Sequence, residues 1–233
     1  MQAAKKFLLH EQTLWLSPER CIFWEEQSTL IVSDLHFGKT GHFRKAGIGV
    51  PQNVYKEDLQ RLLAQVQHYR PHQLVVVGDL FHSNANKEMD LFMRWRHDFS
   101  QLHIALVKGN HDILSKGWYS QANIAVSDDH LAVDSFCFVH DIAAKCDAGK
   151  EIKYYFSGHI HPCITLRGVG KQSLKFPCYF FGASYAVLPA FGKFTGTAHI
   201  EPKATDRVFA ILPSDKVRGE KAAVVDVMPN HVV

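Results

Sequence analysis

No Cys-x-x-Cys pair occurs in this chain, and its five cysteines (Cys21, Cys137, Cys146, Cys163 and Cys178) are scattered and odd in number. Such spacing gives neither a disulfide framework nor a thiolate zinc cage, and it fits a reducing compartment. Long hydrophobic runs are also missing: near the start, Phe7 to Leu9 is broken at once by His10 and Glu11. That stretch supplies no signal-peptide core and no membrane span, so a cytoplasmic protein without a membrane partner is expected. Neither sign of charge dominates. The net charge of +3 is too small to imply an anionic partner by itself. No low-complexity linker divides the 233 residues, which are too few for two full α/β domains. One domain over residues 1–213 is therefore expected, with residues 214–233 as a C-terminal tail that could form an edge strand.

Apolar patterning gives the elements. From Phe7 to Val32, short apolar runs alternate with turn-like polar stretches, as in successive strands. Between Asn53 and Tyr69, Val54, Leu59, Leu62, Leu63 and Val66 recur at helical spacing, and Pro71 follows. The continuous runs Leu74 to Val77 and Ile104 to Val107 read as buried strands on either side of a second helix, Lys87 to Phe99. Strand-like runs dominate from Ile124 onward. The expectation is an α/β fold of two mixed β-sheets packed face to face and flanked by helices.

Fifteen histidines are present, and position matters more than number. Asp34-Leu35-His36, Gly78-Asp79, Gly109-Asn110-His111-Asp112, His140 and Gly158-His159-Ile160-His161 each follow a predicted strand. Strand ends in such folds converge on one edge, where ligand sites form, so these groups can meet although they are far apart in sequence. Carboxylate, amide and imidazole donors together suit manganese, iron or zinc at a catalytic site. In Asp-x-His and His-x-His the alternate residues of an extended segment point the same way, which predicts that each pair faces one metal or metal pair. The glycines Gly78, Gly109 and Gly158 fit tight departures from the strands.

This motif order resembles that of the calcineurin-like metallophosphoesterase superfamily. The resemblance implies the two-sheet sandwich and two divalent metal ions, with manganese the leading choice and iron or zinc as alternatives. It implies Asp34, His36 and His161 as ligands of one ion, Asn110, His140 and His159 as ligands of the other, and Asp79 as the bridge. It further implies His111 as a catalytic, substrate-facing histidine oriented by Asp112. His82, in Gly78-Asp79-Leu80-Phe81-His82, departs from the usual pattern and either lines the site or caps a turn. Segments from Asp34 to Gly47, Gly158 to Pro162 and Leu188 to Gly196 are also similar to the bacterial DNA ligase-associated DNA-damage-response phosphoesterases. That branch implies a nuclease of DNA repair that partners a ligase and a helicase.

The resemblance implies a phosphoesterase. The ligands alone leave a nuclease and a phosphatase of small phosphoesters or nucleotides both open, while a non-catalytic scaffold sits poorly with a complete ligand set. Lys39, Phe43 and Arg44, close after the first motif, combine cations with an aromatic face and are expected to contact a DNA or RNA strand.

Overall fold

The computed structural model describes residues 4–39, 53–82, 87–144, 149, 151–167, 173–215 and 219–227. A first, seven-stranded sheet runs in chain order through β1 (Lys5–Leu9), β2 (Gln12–Leu16), β3 (Ile22–Trp24), β4 (Thr29–Ser33), β5 (Gln73–Val77), β6 (His103–Val107) and β7 (Ile124–Ser127). Its first four strands pair antiparallel, and β4 to β7 pair parallel. The parallel strands are linked through α1 (Asn53–Tyr69), α2 (Lys87–Asp98) and α3 (Lys116–Gln121). The short α3 escapes the periodicity test at six residues. Ser115 caps it by accepting from the Trp118 amide.

The second sheet has nine strands: β8 (His130–Val133), β9 (Phe136–Val139), β10 (Tyr154–Ser157), β11 (Pro162–Arg167), β12 (Ser173–Phe181), β13 (Tyr185–Val187), β14 (Ala198–His199), β15 (Arg207–Leu212) and β16 (Ala223–Val227). Its main path runs β14-β11-β12-β13-β10-β9-β8, and β15 pairs both β12 and β16. None of the described helices is long and apolar enough to cross a membrane.

Alternation along the central strands creates the layers. Leu30, Val32, Leu74 and Val76 point to one face, where they pack with Leu62, Val66, Phe92 and Trp95 from the helices. Ile31, Val75, Val77 and Val107 point to the other face and meet Phe136, Phe138, Tyr154 and Phe156 of the second sheet. Burial on both faces is why these strands read as unbroken apolar runs. Truncating Phe156, fully buried between the sheets, to alanine is expected to cost about 3–5 kcal/mol.

Candidate metal centre

Strand register places the motifs. Ser33 lies opposite Val77 and Val77 opposite Val107, so β4, β5 and β6 end level with one another. Asp34, Gly78-Asp79 and the Gly109–Asp112 turn therefore leave the sheet side by side. In the other sheet Phe138 lies opposite Phe156, and the Gly158 amide donates to the His140 carbonyl at 3.1 Å. The two sheets are tied at this edge by the His159 amide, which donates to the Asp34 carboxylate at 3.0 and 3.2 Å.

The local backbone differs from the extended conformation expected of Asp-x-His and His-x-His. Asp34, His36, Asp79, His159 and His161 all have positive φ, between 51° and 67°. Such left-handed positions cost a non-glycine residue roughly 1–2 kcal/mol each. The side chains thus converge because the chain coils as it leaves the strand. Close approach also explains two of the glycines. A Cβ on Gly78 would lie 1.8 Å from His140 Nδ1, and one on Gly158 would lie 2.4 Å from Asp34 Oδ2.

Three donor groups result: Asp34 with His36 and His161, Asp34 with Asp79 and His140, and His36 with His82 and His111. His161 Nε2 is 3.2 Å from Asp34 Oδ1 and 3.4 Å from His36 Nε2. His140 Nε2 is 3.2 Å from His159 Nδ1. Asp79 Oδ2 sits between the groups, 3.7 Å from His36 Nε2 and 3.6 Å from His140 Nε2. Its other oxygen accepts from the His111 amide at 2.9 Å. Asn110 is exposed on the neighbouring turn, and its amide makes no hydrogen bond among the described residues.

The chemistry of this donor set fits cations. His161 Nδ1 faces the Gly196 carbonyl at 3.0 Å, and His140 Nδ1 faces the Val77 carbonyl at 3.4 Å. Donating to those carbonyls fixes each tautomer and turns the Nε2 lone pair inward, the arrangement that metal-binding histidines use. Burial, then the charge of Lys39 and the neighbouring imidazoles, push the His36 pKa down to about 2, so its ring is neutral at pH 7. Burial also pulls the His161 pKa down, but the hydrogen bond and charge of Asp34 outweigh it and leave it raised. Lone pairs facing lone pairs beside two buried carboxylates call for positive charge between them.

The remaining predicted residues fall into three cases. His111 is exposed, with its ring centroid 4.2 Å from that of His82, and His36 lies 5.4 Å from both. His82 thus lines the site beside His36 and His111. A bridge between Phe37 and Phe81, continuing the β4–β5 ladder, brings it there, and its amide donates to the Phe37 carbonyl at 2.8 Å. Asp112 departs from expectation. Its carboxylate accepts from the Phe81 and Gly109 amides at 3.1 and 2.9 Å, so it braces the turns carrying the motifs and does not grip the His111 ring. Burial pushes its carboxyl up to about 7. Lys39 lies close enough for its charge to act on Asp34, Asp79, His36 and His161, although burial lowers its own pKa. Phe43 and Arg44 lie outside the described residues.

Sequence reasoning gave no role to the strap from Leu188 to Gly196. Its Phe191 and Gly192 amides donate to the Ser33 and Asp34 carbonyls at 2.8 and 3.1 Å, and its Gly196 carbonyl holds His161. Arg20 donates to the Ala190 and Gly192 carbonyls, and Arg61 to the Phe191 carbonyl. Only the paired glycine and aromatic residues hinted at this role.

The calcineurin-like phosphoesterase profile matches residues 28–140. Among solved structures the chain is similar to the nuclease MPE of Pseudomonas putida, with 26% identity, a TM-score of 0.74, and 89% of this chain and 96% of the nuclease covered. A remote likeness to the E. coli phosphoesterase Yfce has 13% identity and a TM-score of 0.38 over 87% of this chain and 99% of that one. No curated protein sequence matches the chain. Ordered motifs, a two-sheet fold and a profile matched over residues 28–140 make the chain similar to the calcineurin-like phosphoesterases.

Proposed function

We propose that the chain is a two-metal phosphodiesterase that cleaves nucleic acid strands. Asp34, His36 and His161 would hold one ion and Asn110, His140 and His159 the second, with the Asp79 carboxylate available to both. The observation that carries the two-ion arrangement is the position of Asp79 Oδ2, nearly equidistant from His36 and His140 Nε2. Divalent transition ions in such a centre, manganese foremost, polarise phosphoryl oxygens and lower the pKa of water. The residues then divide the work. Val77 and Gly196 fix the histidine tautomers, Asp112 holds the turns, and Lys39 adds positive charge beside the phosphate. His111 and His82, at the open side, place N–H groups where the leaving oxygen departs, and His111 delivers the proton that oxygen needs.

Similarity to a nuclease over nearly the whole of both chains supports a diester of nucleic acid as the substrate. A role in DNA repair, beside a ligase and a helicase, is part of the same proposal. A manganese-supplemented panel of phosphomonoesters, small diesters and short DNA and RNA strands tests it. Cleavage within strands together with diester hydrolysis is the expected result. Hydrolysis confined to small monoesters would overturn it.

A further inference from the structure

Two arginines behind the site are connected to it through the strap. Arg20 Nη1 donates to the Ala190 and Gly192 carbonyls at 3.2 and 3.3 Å, and Arg61 Nη2 donates to the Phe191 carbonyl between them at 3.0 Å. Three successive carbonyls are thus held by guanidinium groups. The amides of the same segment point to the first motif, Phe191 donating to Ser33 at 2.8 Å and Gly192 to Asp34 at 3.1 Å. Further along, the Gly196 carbonyl faces His161 Nδ1 at 3.0 Å, and the Ala198 amide donates to the His161 carbonyl at 3.0 Å. Asp34 and His161, two donors of one group, therefore depend on a segment that the arginines grip. Among the described residues, no hydrogen bond of the strap reaches Asn110, His140 or His159.

The fold aims Arg20. Its φ of 64° is left-handed, and its amide donates to the Ser17 carbonyl at 3.0 Å within a turn closed by the Ser17 amide on the Cys21 carbonyl at 2.9 Å. Tyr179, buried in the second sheet, places its hydroxyl 2.7 and 2.8 Å from the Ser17 and Cys21 carbonyls. Burial and then the charge of Arg61 lower the Arg20 pKa, while Asp58 opposes them. Holding two cations together with little hydration is unfavourable, and a loop that only needed cover could be packed with apolar groups. Charged N–H donors grip carbonyls more firmly than neutral ones, which accounts for the choice. Backbone then meets backbone: a Cβ on Gly192 would lie 2.6 Å from the Leu35 carbonyl oxygen, so a shift of the strap passes directly to the first motif.

We propose that Arg20 and Arg61 are positioning residues for the ion of Asp34, His36 and His161, fixing through the strap where the Asp34 backbone and the Gly196 carbonyl lie. A ligand histidine presents Nε2 only while its Nδ1–H keeps its acceptor. Loosening the grip on residues 190–192 lets the Gly196 carbonyl drift from His161 and the Asp34 backbone lose its donor. The ion of Asn110, His140 and His159 is spared, because His140 is oriented by the Val77 carbonyl of the first sheet instead. This inference rests on the two-ion reading above.

Calorimetric titration of manganese into the full-length, metal-stripped protein tests it, with His161→Ala identifying which binding step belongs to the Asp34–His161 ion. Titrations run well below the melting temperature of every variant, so lost stability alone does not enter. Arg20→Ala should weaken that step roughly 10- to 100-fold, the range for removing a group that orients a ligand, and leave the other step within about 2-fold of the parent. Arg20→Lys, whose ammonium still offers hydrogens to the two carbonyls, should recover part of the loss. Tyr179→Phe, which loosens the turn that aims Arg20 and leaves the arginine itself in place, should weaken the same step. Equal weakening of both steps, or an Asp34–His161 step unchanged in Arg20→Ala, would overturn the positioning role and leave the two-ion centre standing. A parent protein that binds one ion or none would overturn both.

Discussion

Replacing Arg61 by alanine removes a guanidinium that ties three segments together behind the site. Its Nε donates to Glu19 Oε2 at 2.8 Å, and its Nη2 to the carbonyls of Glu19 and Phe191 at 3.0 Å each. Its Nη1 meets the Asp58 carboxylate, and the Phe191 ring lies 4.3 Å from the guanidinium carbon. Asp58 is 5% exposed, so the substitution strands a buried carboxylate with the Lys193 amide still donating to it. Removing one partner of a buried ion pair costs about 3–5 kcal/mol, and the slight exposure of Arg61 and Glu19 argues for the lower end. For a chain of this size, about 3 kcal/mol lowers Tm by roughly 6–12 °C.

The same variant has a pH signature. Burial raises the Asp58 pKa above its ordinary 3.8, and Arg61 pulls it back, so losing Arg61 raises it further. Above pH 3.8 the folded variant then holds a proton that the unfolded chain has released, and stability falls as pH rises through the folded pKa. Urea denaturation of parent and Arg61→Ala should show the larger deficit near pH 7 and a smaller one toward pH 4. A deficit below about 1 kcal/mol at pH 7, or one that grows on acidification, would refute the account of this network.

Other substitutions probe the centre itself. Gly158→Ala would force a Cβ against Asp34 Oδ2 and the Val77 carbonyl, at 2.4 and 2.9 Å. Calorimetric titration should show manganese affinity at the Asp34 site at least about 10-fold weaker, and unchanged affinity would contradict the packing argument. His111→Ala should keep its metal content while slowing diesters with alkoxide leaving groups by about 10²- to 10⁴-fold, and nitrophenolate esters far less. Equal slowing of both would reduce His111 to a shaping role. Among the thiols, burial pushes Cys21 up to about 12 and raises Cys178, and all four described cysteines are buried. Ellman's reagent should therefore titrate at most Cys146 in the native protein, and rapid reaction of two or more thiols would show that the core is open.

Much of the site was legible because each motif follows an apolar run, and a level parallel register turns that sequence pattern into one edge. The helix Asn53–Tyr69 was equally plain from its spacing. What could not be read depends on contacts between distant segments. Nothing local to Asp34 or His36 announces a left-handed backbone, which persists because His159, 125 residues away, donates to Asp34. Asp112 looked like a partner for its neighbour His111, but the Phe81 amide comes from another strand end and claims its carboxylate. The placement of His82 required the β4–β5 ladder to continue past the strands. The strap is a sequence of glycine, proline and aromatic residues whose purpose emerges only when His161 is found against Gly196.

The central claim is that two cations occupy this cluster and that hydrolysis depends on them. Elemental analysis of manganese-loaded, desalted protein, run in parallel with hydrolysis of a small chromogenic diester before and after chelation, tests it most directly. Two ions per chain are expected, with activity lost on chelation and restored by manganese. One ion or none per chain, in protein that still hydrolyses the diester, would contradict the account.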